Sequence, residues 1–138
     1  MSGSAKQSNH ETADRFLSAY HQGFVRVAAC RPRCEIADPA FNSAETLSLV
    51  RQGHDRAVGL MVFPELGLSG YSIDDLFLQS ALLDEVETEL ARLVADSASL
   101  SPVFIVGAPL RREGRLFNCA VAIHRGRILG VTPKGRGC

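Results

Sequence analysis

An apolar run that stops at a proline constrains the fold of this chain more than any other feature. The seven residues Ala57–Phe63 carry no polar side chain and end at Pro64, which is followed by the glycine-rich segment Glu65–Ser72. Such a short apolar run, bounded by proline and glycine, favours a strand over a helix. Pro64 has no N–H group for a sheet, so it ends the strand. The pattern predicts a strand buried on both faces, with Glu65 at its carboxyl end.

Glu65 is the first candidate for a functional residue. Open α/β sheets build their ligand sites at the carboxyl ends of strands. A charge there costs free energy unless it is paired, hydrogen-bonded or protonated. The carboxylate is either catalytic or caps the backbone amides of Gly67 and Leu68. Taken alone, the residues favour the capping interpretation, because a single acidic residue is weak support for a site.

The rest of the chain alternates apolar strands with helical patterns. Asp38 and Pro39 form a typical helix start, as a capping side chain followed by proline. A second helix carries an apolar stripe at helical spacing, with Glu85, Glu87 and Glu89 predicted to face away. The predicted elements are a short helix at 12–21, strands at 24–29, 57–63, 102–110, 116–124 and 128–131, and helices from 39 to 53 and from 74 to about 97–101. This order predicts an α/β fold with a mixed sheet.

Charge and composition exclude several classes of function. Fifteen basic residues balance fifteen acidic ones, so no global field favours nucleic acid or an anionic membrane. No apolar run approaches the roughly 20 residues needed to span a bilayer, and no signal region begins the chain. We therefore expect a cytoplasmic protein with no nucleic-acid or membrane partner. Its four cysteines are predicted to be reduced thiols rather than zinc ligands, because no second cysteine pair follows Cys30 and Cys34 at finger-like spacing.

Three segments together resemble the nitrilase, or carbon–nitrogen hydrolase, superfamily. They are FPELGLSGYS, GAPL followed by LFNCAVAIH, and RILGVTPK. Two more, YHQGFVRVAAC and SGYSIDDLFLQSALLDEVE, are similar to the glutaminase domains of bacterial glutamine-dependent NAD synthetases. The resemblance covers residues 23–134, which leaves a lead-in at 1–22 and a divergent tail at 135–138. It implies an α/β fold, namely the first half of an α-β-β-α sandwich.

The resemblance also assigns roles to individual residues. It implies that Glu65 is the base that deprotonates a cysteine thiol, and we expect enclosure to raise its pKa towards the working range. Lys134 would stabilise the tetrahedral intermediate, although a lysine so placed is otherwise usually solvated. Tyr71 would line the glutamine pocket; an ordinary half-buried loop tyrosine fits the residues equally well. Asn118 is expected to orient its strand or neighbouring groups.

One part of the family's pattern is missing. The nucleophilic cysteine of the superfamily follows the lysine by several dozen residues, whereas this sequence has four residues after Lys134. Cys138 lies on a glycine-flanked end that cannot fix the geometry of a nucleophile. The sequence therefore predicts a fragment, truncated after the lysine and inactive alone.

The resemblance implies a larger parent enzyme. Its glutaminase domain hydrolyses glutamine to glutamate and ammonia through a cysteine thioester. A second domain, which needs ATP and magnesium, uses the ammonia to amidate nicotinic acid adenine dinucleotide, and the parent is a homo-oligomer. This sequence contains no phosphate-binding loop, so no cofactor is expected in the chain itself. Two alternatives stay open: a non-catalytic module that associates with an intact synthetase, and a fragment of another amidase of the superfamily.

Overall fold

A mixed five-stranded sheet organises the part of the chain that the computed structural model describes, residues 18–70 and 80–135. The strands are adjacent in sequence order, β1 to β5. The elements are a short 3₁₀ helix at Ala19–Gln22, β1 at Val27–Ala29, α1 at Pro39–Asp55, β2 at Leu60–Val62, α2 at Ser80–Asp96, β3 at Val103–Arg112, β4 at Arg115–His124 and β5 at Arg127–Pro133.

Connections between the strands determine their directions. Strands β1, β2 and β3 are parallel because α1 and α2 serve as crossovers between them. Strands β3, β4 and β5 are antiparallel and joined by two tight turns. Both central residues of each turn, Glu113–Gly114 and Arg125–Gly126, have positive φ, as a primed hairpin turn requires. The predicted α/β class and mixed sheet are confirmed.

Helix α1 begins where the sequence predicts and ends later. The carboxylate of Asp38 accepts a hydrogen bond from the backbone N–H of Phe41 at 2.9 Å, and Pro39 is the first helical residue. The predicted end at Gly53 is wrong, because the helix continues to Asp55. Gly53 instead lies against Met61, whose sulfur would be 2.3 Å from a Cβ at that position. Position 53 therefore packs closely against β2 and is not the end of the helix.

Both helices pack on the same face of the sheet and form the core with it. The apolar stripe of α2 contributes Leu82, Leu83, Val86, Leu90 and Leu93, as predicted. The predicted start of this helix, at 74–77, lies outside the described residues. Glu89 does not face away as predicted, since it is only 6% exposed and forms an ion pair with Arg92 at 2.6 Å. A carboxylate on the buried side of the helix is tolerated because it has this partner.

The opposite face of the sheet is not covered by any helix of the described residues. Met61 is buried against the helices, whereas Val62 is 44% exposed and Val27 is 65% exposed on the other face. The prediction of a strand buried on both faces was therefore wrong, because no described helix lies on that side. The paired part of this strand is also short, at Leu60–Val62, since β1 and β3 pair with it over three residues only.

The N-terminal elements are shorter than predicted. The first strand is Val27–Ala29 rather than 24–29, because its pairing with β2 covers only three residues. Of the helix predicted at 12–21, residues 12–17 lie outside the described part, and the 3₁₀ turn Ala19–Gln22 follows. Neither α1 nor α2, the long helices of the described ranges, has the length and apolar character needed to cross a membrane.

Candidate active site

Glu65 lies in a turn that folds back over the sheet directly after β2. The backbone N–H of Phe63 still bonds to Ile105 of β3, at 2.9 Å. The chain then reverses, with the N–H of Gly67 bonded to Pro64 at 3.2 Å and that of Leu68 bonded to Gly107 at 3.2 Å. These two amides are therefore satisfied by backbone carbonyls. The interpretation of Glu65 as a cap for them is wrong.

Gly107 makes room for this turn on β3. A Cβ at position 107 would lie 2.4 Å from the nitrogen of Leu66 and 2.7 Å from the carbonyl oxygen of Pro64. Both distances are shorter than non-bonded contacts allow, so only glycine lets the backbone of residues 64–66 lie on the strand. The carboxylate of Glu65 can then reach across β3 to β4.

Asn42 of α1 holds the same turn from the other side. Its side chain is 1% exposed. Its amide nitrogen donates to the carbonyls of Leu68 at 3.2 Å and Glu35 at 2.8 Å, and its amide oxygen accepts from the N–H of Glu35 at 2.8 Å. A buried amide with three hydrogen bonds is well satisfied. It links the segment after β1 to the segment after β2.

Lys134 and Asn118 converge on the carboxylate of Glu65. Lys134 directly follows β5, and its Nζ lies 2.8 Å from Oε1 of Glu65. Its backbone N–H donates to the carbonyl of Asn118 at 2.7 Å. The side-chain amide of Asn118, on β4, donates to the same Oε1. The structure thus brings together residues 53 and 69 positions apart from Glu65 in sequence.

The two donors keep Glu65 ionised. The hydrogen bond from Lys134 and then that from Asn118 hold the pKa of Glu65 below its ordinary value. The side chain is 40% exposed, so its charged form loses little hydration while gaining two donors. The expectation that enclosure raises this pKa is therefore wrong for the site as described. An ionised carboxylate at neutral pH is the form that accepts a proton.

A cleft of about 330 Å³ opens beside the carboxylate on the uncovered face of the sheet. Its lining is mostly apolar, with polar groups at one end; it includes Val62, Phe63, Pro64, Glu65, Ile105, Gly107, Asn118, Ala120, Thr132 and Lys134. An apolar cleft with a few converging polar groups suits a small polar ligand. The charges present can accept one proton and stabilise one developing anion.

None of the described cysteines contacts Glu65. Cys119 borders the cleft, but its side chain belongs to the buried core on the helix-covered face. Burial raises the pKa of the Cys119 thiol and of the half-buried Cys30, which lowers their thiolate fraction. Neither these two nor Cys34 forms a disulfide. Within residues 18–70 and 80–135, no three His, Cys, Asp or Glu side chains are grouped to hold a metal.

The structure does not describe two of the residues considered from the sequence, and it adds two residues to the site. Tyr71, predicted to line the substrate pocket, and Cys138 lie outside the described residues. Sequence reasoning missed the contributions of Gly107 and Asn42. A signal existed for Gly107, because a lone glycine inside an apolar strand often marks close backbone approach. No comparable signal marked Asn42, whose hydrogen bonds join three separate segments.

Sequence comparisons show which known proteins the chain is similar to. A profile of the family described as carbon–nitrogen hydrolase matches residues 26–136. The glutamine-dependent NAD(+) synthetase of Mycobacterium tuberculosis H37Rv is 58% identical over 119 residues, which cover 86% of this chain and 18% of that protein. The chain thus spans less than a fifth of the length of this curated relative.

Solved structures share the fold. A glutamine-dependent NAD(+) synthetase from Cytophaga hutchinsonii has a TM-score of 0.73 at 22% identity, over 80% of this chain and 19% of that one. An amidase from Nesterenkonia has a TM-score of 0.66 at 18% identity, over 80% and 42% respectively. The fold and the profile match lead to one conclusion: the chain belongs to the carbon–nitrogen hydrolase family.

Proposed function

We propose that this chain supplies the base and the cationic residue of a glutamine-hydrolysing domain. The observation that carries the proposal is the 2.8 Å contact between Nζ of Lys134 and Oε1 of Glu65 at the end of an apolar cleft. The 58% identity to a glutamine-dependent NAD(+) synthetase supports glutamine as the substrate.

The chemistry follows from the charge states. Ionised Glu65 accepts the proton of a cysteine thiol, and the thiolate attacks the side-chain carbonyl of glutamine. The ammonium of Lys134 stabilises the oxyanion. Collapse of the intermediate breaks the C–N bond, and protonated Glu65 gives its proton to the departing amide nitrogen, which leaves as ammonia. Glu65 then takes a proton from the water that attacks the thioester and returns it to the departing sulfur, which yields glutamate and the thiol.

The proposal extends to the enzyme that contains this domain. Since no described cysteine contacts Glu65, the nucleophile comes from outside the described residues. The released ammonia feeds amidation of nicotinic acid adenine dinucleotide in a second domain that uses ATP and magnesium. We place this enzyme in the cytoplasm, as a homo-oligomer without a nucleic-acid or membrane partner.

A chimera tests the function. This chain replaces the matching 119-residue segment of the M. tuberculosis synthetase, and NAD formation is measured with glutamine and, separately, with ammonia. We expect glutamine-dependent synthesis to be retained. Glu65→Gln and Lys134→Met should lower it by about 100-fold or more, as expected for loss of a base or of an oxyanion-stabilising charge. Ammonia-dependent synthesis should not change.

The ammonia reaction separates catalysis from folding. Glu85→Gln, an exposed position on α2, is the matched control and should affect neither reaction. Full glutamine-dependent synthesis in Glu65→Gln would contradict the proposal. So would a chimera that uses ammonia at the parent rate and does not hydrolyse glutamine.

The isolated chain should release no ammonia from glutamine. The reason is that its described thiols do not contact the base. An assay of released ammonia on the purified chain checks this. Activity that survives Cys138→Ala and disappears in Glu65→Ala would show that a nucleophile is present after all.

The uncovered apolar face of the sheet favours a second candidate, a non-catalytic module that associates with an intact synthetase. Val27 and Val62 are exposed on that face, and apolar patches of this kind mark interaction surfaces. Co-purification of the tagged chain with the M. tuberculosis synthetase would support this candidate. Loss of co-purification in Val27→Lys would locate the contact on the sheet.

A further inference from the structure

We propose that Asn118 is a positioning residue that holds the base and the lysine as one unit and leaves Oε2 of Glu65 as the oxygen that accepts the proton. The inference rests on the proposed function for the identity of the proton donor. Asn118 would determine which oxygen of Glu65 is engaged, which neither Glu65 nor Lys134 can do alone.

The first observation is that both donors meet one oxygen. The amide of Asn118 and the ammonium of Lys134 both donate to Oε1 of Glu65. A carboxylate has two oxygens and about four lone-pair directions. Among residues 18–70 and 80–135, no side chain donates to Oε2. Within this part of the chain, the lone pairs of Oε2 are left for a substrate or nucleophile.

The second observation is that Asn118 binds both partners through different atoms. Its side chain bonds to Glu65, while its backbone carbonyl accepts the N–H of Lys134 at 2.7 Å. Asn118 lies on β4, between β3, over which the turn of Glu65 folds, and β5, which Lys134 follows. One residue on the middle strand thus fixes the separation of the other two.

A lysine alone would not distinguish the two carboxylate oxygens. Its ammonium is a compact charge on a flexible stem, and it can bond to either oxygen. The terminal torsion of glutamate is broad and roughly two-fold, so the carboxylate can exchange its oxygens by rotation. Asn118 lies on a strand, so the position of its side-chain amide is restricted. Its hydrogen bond to Oε1 therefore makes the two oxygens of Glu65 different. A positioned base is what an efficient proton transfer needs.

Titration of Glu65 tests the proposal without turnover. The ¹³C carboxyl resonance of Glu65, assigned with Glu65→Gln, is followed against pH in dilute solutions of the chain. In Asn118→Ala we expect the midpoint to rise, because a donor to the charged form is lost. Asn118→Leu, which nearly keeps the shape of asparagine, should give the same rise. Asn118→Asp should give a larger rise, because it adds a like charge.

A merely structural role would give a different result. It predicts a lower melting temperature with an unchanged Glu65 midpoint, and that result in the Ala and Leu variants overturns the proposal. Ala122→Ser, on the same face of β4, is the control and should leave the midpoint unchanged. Circular dichroism identifies folded variants, and the three substitutions at position 118 keep the test decisive if one of them does not fold.

The chimera separates this inference from the proposed function. There, Asn118→Ala should lower the glutamine-dependent rate on the order of 100-fold, the cost of a mispositioned group, and spare the ammonia-dependent rate. A shifted midpoint without glutamine hydrolysis by any chimera keeps the positioning role and refutes the function. Glutamine hydrolysis with neither shift nor slowing in Asn118→Ala refutes the positioning role alone.

Discussion

At the scale of single residues, the ion pair of Glu65 and Lys134 sets a pH dependence. The pKa of Glu65 is lowered in the folded chain, first by Lys134. A lowered pKa contributes stability above the unfolded value of about 4.3, and that contribution is lost as pH falls through the folded value. We expect Lys134→Met to raise the NMR midpoint of Glu65. We also expect the difference in melting temperature between the parent and Lys134→Met to shrink as pH falls below 4.3. A midpoint that is unchanged in Lys134→Met would contradict this.

The close approach of the Glu65 turn to Gly107 leads to a second prediction for a single residue. Gly107→Ala places a methyl group 2.4 Å from the backbone nitrogen of Leu66, so the turn must move. We expect a loss of about 1–3 kcal/mol in the free energy of unfolding, typical of overpacking, and loss of glutamine-dependent synthesis in the chimera. Denaturant unfolding and the two NAD assays measure these effects. Gly130→Ala is the matched control, because a Cβ there meets nothing within 4 Å; an equal loss in both variants would contradict the explanation.

At the scale of elements, local signals were predictable and pairing was not. The start of α1 at Asp38 and Pro39 and the apolar stripe of α2 were correct, because a cap and a helical repeat are encoded within a few residues. The predicted end of α1 and the outward orientation of Glu89 were wrong. Gly53 packs against Met61 of β2 and does not end the helix. The burial of Glu89 depends on how α2 packs on the rest of the fold. The two-sided burial of β2 also failed, since it depends on which face the helices take.

In the candidate site, too, the contacts between strands could not be predicted from the sequence. Glu65 and Lys134 were identified by family resemblance, and the structure brings them together. The contact between Asn118 and Glu65 depends on the register of β4 against β3, which no local pattern specifies. The direction of the Glu65 pKa shift failed for a related reason: the number of donors around a carboxylate emerges only from the assembled sheet.

Asn42 gives a testable prediction at the scale of elements. Asn42→Ala removes the hydrogen bonds of Asn42 to the carbonyls of Leu68 and Glu35 and to the N–H of Glu35. Unsatisfied buried polar groups cost about 1–3 kcal/mol, so we expect a loss of that order in the free energy of unfolding, measured with denaturant. Ser48→Ala, exposed on the same helix, should change stability by less than about 0.5 kcal/mol. Equal losses of stability in the two variants would show that the hydrogen bonds of Asn42 do not stabilise the fold.

At the scale of the whole molecule, the uncovered sheet face governs behaviour in solution. Val27 and Val62 are 65% and 44% exposed there, and β1 and β5 are edge strands of the described sheet. Apolar faces and unpaired edges promote association. We expect the average mass in sedimentation velocity to rise with protein concentration. Val27→Lys should reduce this rise, whereas Ala91→Lys, at an exposed position on α2, should not. A concentration-independent monomer in the parent chain would contradict the prediction.

The convergence of three distant residues on one oxygen has a consequence for folding. Glu65, Asn118 and Lys134 come from the ends or interior of three different strand regions, 53 and 69 residues apart from the glutamate. A one-residue slip of β4 would turn Asn118 towards the helices and present Phe117 or Cys119 instead. The contacts of Asn118 and Lys134 with Glu65 therefore require the native register of β3, β4 and β5. A lowered midpoint for the Glu65 titration thus indicates a chain in which β3, β4 and β5 are paired in their native register.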